Sequence, residues 1–212
     1  MIVKYCGITK EEEIQHLQQL PIEYVGFVFY KKSKRYVDKE QARRLREKLN
    51  PSIPAVGVFV EEEIPKILEL LQEGIIQGVQ LHGEEEEAYV LKLKQEMAKL
   101  GIKPFLWQAF ILKEEKDIER ANASPADLIL LDGGKWEGKE AEAGLLQKIH
   151  RPYILAGGLS PENVAEKIKA FSPYGLDVSS GIEEQGEEGI RKSPEKMQSF
   201  IRLVRGYESE SL

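Results

Sequence analysis

Lys4 and Cys6 stand two residues apart in the apolar stretch Ile2–Cys6, a spacing that puts both side chains on one face of a β-strand. A lone cysteine is ordinarily a small buried hydrophobe, but a cation on the same face favours the reactive thiolate. Both side chains face either a barrel interior or an outer helical layer, and in either place the lysine needs a partner. Asp177 lies on one face with Gly175 and Ser179 in a short run near the other end of the chain, and it is the candidate partner. Gln80 and His82 share a face in Gly78–His82, and Asp132 ends the apolar run Leu128–Leu131. Taken alone, Gln80 and His82 read equally well as a polar strand end, and Asp132 as a turn or helix-cap aspartate.

Two glycine-bearing segments suggest a phosphate. One reads Ala156-Gly157-Gly158-Leu159 and the other Val178-Ser179-Ser180-Gly181. Glycines let backbone N–H groups approach an anion closely. One Gly-Gly pair is weak evidence, whereas two such ends on neighbouring strands are more specific. Ser160-Pro161 then reads as the opening of a helix, serine as cap and proline at its first position. The basic run Lys31-Lys32-Ser33-Lys34-Arg35-Tyr36 is ordinarily a solvated loop, yet an arginine there is able to clamp a carboxylate with two parallel hydrogen bonds.

These residues need elements to hold them. Short apolar runs predict strands at Ile2–Cys6, Tyr24–Phe29, Ala55–Val60, Gly78–Leu81, Pro104–Ala109, Leu128–Leu131, Tyr153–Ala156 and Gly175–Val178. Amphipathic stretches between them, Lys39–Leu49, Ile64–Leu71, Ala88–Leu100 and Pro161–Phe171, predict helices. About eight strand–helix units imply an α/β fold, a closed parallel (β/α)8 TIM barrel forming a single domain over residues 1–212. No Gly-x-Gly-x-x-Gly follows an early strand, so a dinucleotide-binding sheet gains no support. In a barrel the chemistry collects at the C-terminal strand ends, with phosphate commonly held after strands seven and eight. The acidic runs Glu84–Glu87 and Glu184–Glu188 read as solvated helix starts or loops, and Glu208–Leu212 as a frayed tail.

Composition narrows the class. The chain has 42% hydrophobic and 31% charged residues, ordinary for a globular protein. Its net charge of −6 disfavours nucleic-acid binding while leaving room for a locally positive site for one small anion. With one cysteine, no intramolecular disulfide forms. The start Met1–Cys6 lacks the pattern of a secretory signal, and no apolar segment nears the roughly 20 residues that span a bilayer. The expectation is a cytoplasmic protein without a membrane or nucleic-acid partner, a monomer or homodimer.

Taken in order, Lys4-Tyr5-Cys6-Gly7-Ile8-Thr9, Gly26-Phe27-Val28-Phe29 with Ser33-Lys34-Arg35-Tyr36-Val37, Val56-Gly57-Val58-Phe59, Val79-Gln80-Leu81-His82-Gly83, Leu131-Asp132, Leu155-Ala156-Gly157-Gly158-Leu159 and Asp177-Val178-Ser179-Ser180-Gly181-Ile182-Glu183 resemble the successive motifs of the phosphoribosylanthranilate isomerase family. The resemblance covers nearly the whole chain. It implies an Amadori rearrangement of a phosphorylated aminoaldose, a step of tryptophan biosynthesis. Cys6 then matches the family's general base and Asp132 its general acid, while Arg35 matches a residue holding the anthranilate carboxylate. Gly157, Gly158, Ser179, Ser180 and Gly181 match its phosphate site, and Lys4, Gln80, His82 and Asp177 are carried as further substrate-binding candidates. Since the substrate's own iminium serves as electron sink, neither metal nor organic cofactor is expected. The general acid must hold its proton near neutral pH, which requires an apolar or anionic setting. The chain departs from the family at Gly133-Gly134-Lys135-Trp136-Glu137-Gly138-Lys139-Glu140, where the family commonly continues Gly-Gly-Thr-Gly, and at Lys34, where a proline or small residue is frequent.

Overall fold

The structure, a computed structural model, describes residues 1–133, 144–186 and 189–210. Gly134 and the atypical Lys135–Glu140 segment lie outside the described residues. Eight parallel strands close into a barrel in chain order: β1 (Ile2–Cys6), β2 (Tyr24–Val28), β3 (Ala55–Phe59), β4 (Gly78–Leu81), β5 (Phe105–Phe110), β6 (Leu128–Asp132), β7 (Tyr153–Ala156) and β8 (Gly175–Val178). The ring shuts where β1 pairs with β8, in a register that sets Lys4 opposite Asp177. Among the described residues, helices Glu11–Leu17, Lys39–Lys48, Ile64–Gln72, Glu87–Ala98, Glu115–Ala123, Val164–Phe171 and Pro194–Glu210 lie between or after the strands. No described helix is long and apolar enough to cross a membrane.

Strand alternation sorts the side chains into two layers. Val3, Tyr5, Val25, Phe27, Val79 and Leu81 pack outward onto helix residues such as Ile14, Leu45, Ile67, Val90 and Phe200. Inside the barrel, Val56, Trp107, Leu130 and Ile154 form a second core with Tyr24, Phe105 and Leu128 against it. Tyr24 meets Phe105 edge-on at 5.2 Å and Trp107 at 5.0 Å between ring centroids. Gly78 makes room for this aromatic layer, since a Cβ there would come within 2.0 Å of the Phe105 ring. The interior is therefore filled by side chains, and its polar residues gather toward the C-terminal mouth.

Several expectations shift. Strand five starts at Phe105 rather than Pro104, because a proline nitrogen has no hydrogen to give the ladder. The regular helix after β7 begins at Val164 and not at Pro161. A turn comes first, in which the Asn163 and Val164 amides bond the Ser160 carbonyl and Asn163 Oδ1 accepts from the Ser160 amide at 2.9 Å. Glu85 is not solvated: it is buried and accepts from the Glu61 and Gly83 amides at 2.8 and 2.9 Å, pinning the ends of β3 and β4 together. The acidic run after β8 forms a hairpin instead, β9 (Glu183–Gly186) antiparallel to β10 (Gly189–Lys192), with residues 187 and 188 outside the described set. Glu208 belongs to the last helix rather than a frayed tail, where it binds the Met1 ammonium and Arg205. That contact joins groups 207 residues apart, which local sequence does not reveal.

Tyr5 fixes the first strand to the last helix, its fully buried hydroxyl donating to the Met197 carbonyl at 2.6 Å. Tyr5→Phe should cost about 0.5–1.5 kcal/mol of stability, read from urea unfolding, because it removes a buried hydrogen bond while the Met197 carbonyl keeps its place in the last helix. An unchanged midpoint would remove that contact from the account of the fold.

Candidate active site

A cavity of about 460 Å³ opens at the C-terminal mouth of the barrel. Cys6, Arg35, Gln80, His82, Asp132, Gly157, Gly158, Asp177, Ser179 and Ser180 all line it. With Val58 and Val60 at the end of β3, seven separate strands or the loops after them contribute to one space, although the residues are scattered through the sequence.

Lys4 and Cys6 both point inward. Lys4 is fully buried below the cavity, where its ammonium bonds Asp177 Oδ1 at 2.9 Å. It acts on Cys6 and Asp177 rather than forming cavity wall. Burial pulls the Lys4 pKa down, but the carboxylate and the thiol outweigh it and hold the ammonium above the usual lysine value. Burial in turn pushes the Cys6 thiol up; Lys4 and Lys192 pull against this, Asp177 adds to it, and the net pKa stays above that of an ordinary cysteine. Gly26, the β2 neighbour of Cys6, supplies the space: a Cβ there would lie 2.7 Å from Cys6 Sγ and 3.0 Å from Lys4 Cε.

On the opposite side of the ring, Gln80 Nε2 lies 3.1 Å from His82 Nδ1, and His82 Nε2 lies 3.5 Å from Asp132 Oδ2. An amide hydrogen given by Gln80 makes Nδ1 the acceptor and leaves the ring proton on Nε2, toward Asp132. Gln80 Oε1 is buried with no hydrogen-bond partner among the described residues. Leu130, two residues before Asp132 on the same strand face, is fully buried inside the barrel.

The basic run after β2 divides. Lys31, Lys32 and Lys34 are exposed, whereas Arg35 turns toward the cavity. Its stem crosses Gly7, which has φ of +74° and no side chain to obstruct it. Arg35 Nε and Nη2 donate to the two carboxylate oxygens of Glu183 at 2.6 and 2.7 Å. One edge of the guanidinium is thereby engaged and its orientation set, leaving the remaining N–H groups for a ligand.

Gly157 and Gly158 adopt φ of +91° and +63°, a region that side chains disfavour. Asn163 Nδ2 holds the Gly158 carbonyl at 2.8 Å. Gly181 does not line the cavity and packs so tightly on Leu159 that a Cβ would come 1.8 Å from the Leu159 carbonyl. This contact locks the end of β8 to the end of β7.

The profile of the family described as N-(5'-phosphoribosyl)anthranilate (PRA) isomerase matches residues 3–202. The chain belongs to this isomerase family. A family member from Clostridium acetobutylicum is 40% identical over 97% of this chain and 98% of its own length. A crystal structure of phosphoribosyl anthranilate isomerase in complex with reduced 1-(o-carboxyphenylamino)-1-deoxyribulose 5-phosphate superposes with a TM-score of 0.79, 36% identity and coverage of 97% and 100%. The Thermus thermophilus enzyme superposes at 0.80 with 34% identity and coverage of 97% and 99%.

Within this isomerase fold, sequence reasoning missed three residues near the cavity. Glu183 stands in the sequence as the end of a motif, Asn163 carries no signal, and Lys192 has only its opposite charge to Glu183 to mark it. The charge alternation Glu183/Lys192 across a turn is the one clue that could have paired two of them.

Since Cys6 is the chain's one cysteine, its alkylation reports this thiol alone. The alkylation rate should climb with pH as the thiolate forms, with a midpoint above that of free cysteine. Lys4→Met should move the midpoint further up, because it removes the cation that favours the thiolate and leaves the Asp177 charge behind. A midpoint that stays put or falls in Lys4→Met would refute this electrostatic coupling.

Proposed function

We propose that the chain is a phosphoribosylanthranilate isomerase of tryptophan biosynthesis, acting as one domain in the cytoplasm as a monomer or homodimer. It converts N-(5-phosphoribosyl)anthranilate to 1-(2-carboxyphenylamino)-1-deoxyribulose 5-phosphate. The observation that carries the mechanism is the presence of Cys6, Asp132 and both glycine-bearing strand ends around one cavity. Asp132 delivers a proton to the ribose ring oxygen, and the ring opens to an iminium. That cation acidifies the C2–H bond, and the Cys6 thiolate takes the proton. The enolamine then ketonises, C1 gaining a proton as the C2 hydroxyl loses one, so the sequence is redox-neutral overall and regenerates both groups. Gly157, Gly158, Ser179 and Ser180 hold the phosphate and position the reacting carbons. Val28, Val58 and Val60 give the cavity an apolar wall suited to the anthranilate ring, with Arg35 at its edge for the carboxylate. Asp177, bound to Lys4, serves as a support beneath the thiol, and His82 faces the acid.

The test is the disappearance of substrate fluorescence with freshly prepared phosphoribosylanthranilate. Cys6→Ser and Asp132→Asn should each lose about 10²-fold or more in kcat while still binding a reduced product analogue. Full activity in both variants would eliminate the proton-transfer scheme. Gly26→Ala should lower kcat by about tenfold or more, because a methyl group at 2.7 Å displaces the sulfur from its place. Wild-type turnover in Gly26→Ala would show that the sulfur's placement does not matter.

A further inference from the structure

Lys192 lies outside every motif of the site, on the second strand of the small hairpin, and its side chain is 1% exposed. Its ammonium bonds Glu183 Oε1 at 2.7 Å, the Ser179 carbonyl at 3.0 Å and Ser179 Oγ at 3.2 Å. Three partners account for all three N–H groups of the lysine. Burying an ammonium is costly unless it is paired and hydrogen-bonded, and this one is both. Its backbone is equally constrained. Lys192 pairs with Glu183 across the hairpin, the Lys192 amide donates to the buried Glu13 carboxylate at 2.8 Å, and the Ser193 amide donates to the Ile182 carbonyl at 2.8 Å.

The two Ser179 contacts have a directional effect. A carbonyl turned toward an anion repels it, and Lys192 draws the Ser179 carbonyl to itself. Ser179 Oγ accepts from Lys192, so its single hydroxyl hydrogen must point elsewhere, and Ser179 lines the cavity. The serine is thereby presented as a donor, the role that an anion requires. The carboxylate of Glu183 does the matching work at the other end, since it receives Lys192 on Oε1 and the Arg35 fork on both oxygens. Arg35 and Ser179 both flank Gly7, the residue after Cys6, where a Cβ would lie 2.4 Å from Arg35 Cδ and 3.1 Å from Ser179 Oγ. Charge keeps the link intact: burial pushes the Glu183 pKa up, but Arg35 and Lys192 outweigh it and hold the carboxyl below the usual glutamate range.

We propose that Lys192 and Glu183 are positioning residues of the isomerase, a buried pair that orients Ser179 toward the substrate phosphate and Arg35 toward the substrate carboxylate from behind the cavity wall. The inference rests on the proposed function for the identity of the substrate, but its geometry predicts phosphate binding independently of turnover. It also assigns different jobs to the two members. Loss of Lys192 disturbs both ends of the substrate, whereas loss of charge on Glu183 disturbs the Arg35 end and leaves Ser179 held.

The experiment uses the full-length protein, Lys192→Met and Glu183→Gln, with steady-state kinetics and calorimetric titration of inorganic phosphate. Lys192→Met should raise KM and weaken phosphate binding by about tenfold each, with kcat reduced by about threefold or less. Glu183→Gln should raise KM by a similar factor and leave phosphate binding within about twofold. A merely structural role would lower active concentration and kcat without this division. Wild-type KM and phosphate affinity in Lys192→Met would overturn the proposal, as would a loss confined to kcat. Should Lys192→Met fail to fold, Glu183→Gln decides, and an unchanged KM there overturns it. A wild-type chain that binds phosphate with this dependence on Lys192 but leaves phosphoribosylanthranilate unconverted would sink the proposed function and not this inference.

Discussion

Lys4 and Asp177 face each other across the β1–β8 seam, with the lysine fully buried and the aspartate nearly so. A pair of this kind contributes little net stability against apolar replacements, because desolvation offsets most of the attraction. What it supplies is a fixed cation under a thiol. Cys6 sits next to the pair with burial pressing its proton on, and the ammonium is the largest influence drawing it off. Everything above the pair depends on that balance. The ammonium favours the thiolate, and Asp177 favours the ammonium against the cost of its burial. The space for both comes from Gly26 on the neighbouring strand, so the seam, the glycine and the sulfur form one constraint.

The wider charge arrangement extends the same logic. The chain as a whole is acidic, yet Lys4, Arg35 and Lys192 converge on the β1–β8 side of the cavity against the carboxylates of Asp177 and Glu183. Each cation is tied to a carboxylate, which holds it in place at the edge of the cavity. The apolar wall of Val28, Val58 and Val60 lies on the β2–β3 side. Polar and apolar demands on the ligand are thus met by different parts of the ring.

Much of this was legible in the sequence. The strands Ile2–Cys6, Gly78–Leu81, Tyr153–Ala156 and Gly175–Val178 have the predicted bounds because each is a short apolar run ended by glycine or polar residues. The two-residue periodicity put Lys4 with Cys6 and Gln80 with His82 on common faces, and only the barrel decides that those faces are inward. What escaped was long-range. Arg35 reads as a basic loop until Glu183 is found 148 positions away. Lys192 falls in no motif, because its bonds to Glu183 and Ser179 exist only once β10 pairs back onto β9. Glu85 and Glu208 look like surface acids, and each is held by groups that lie elsewhere in the chain or in the turn of its own loop. Local pattern gives the elements and the face, whereas pairing across the fold decides which charges are used.

The seam carries a consequence for how the protein is made. Its hydrogen-bonded ends, Lys4 and Asp177, are 173 residues apart, so the barrel's first strand waits for its eighth before that edge is covered. During that interval the nascent chain holds an unshielded strand edge beside a lysine with no counterion, and contacts this distant in sequence are the slow ones to form. The surroundings of the Cys6 sulfur are therefore incomplete until β8 pairs, and a chain stalled before that strand emerges has seven of its eight staves and an open seam.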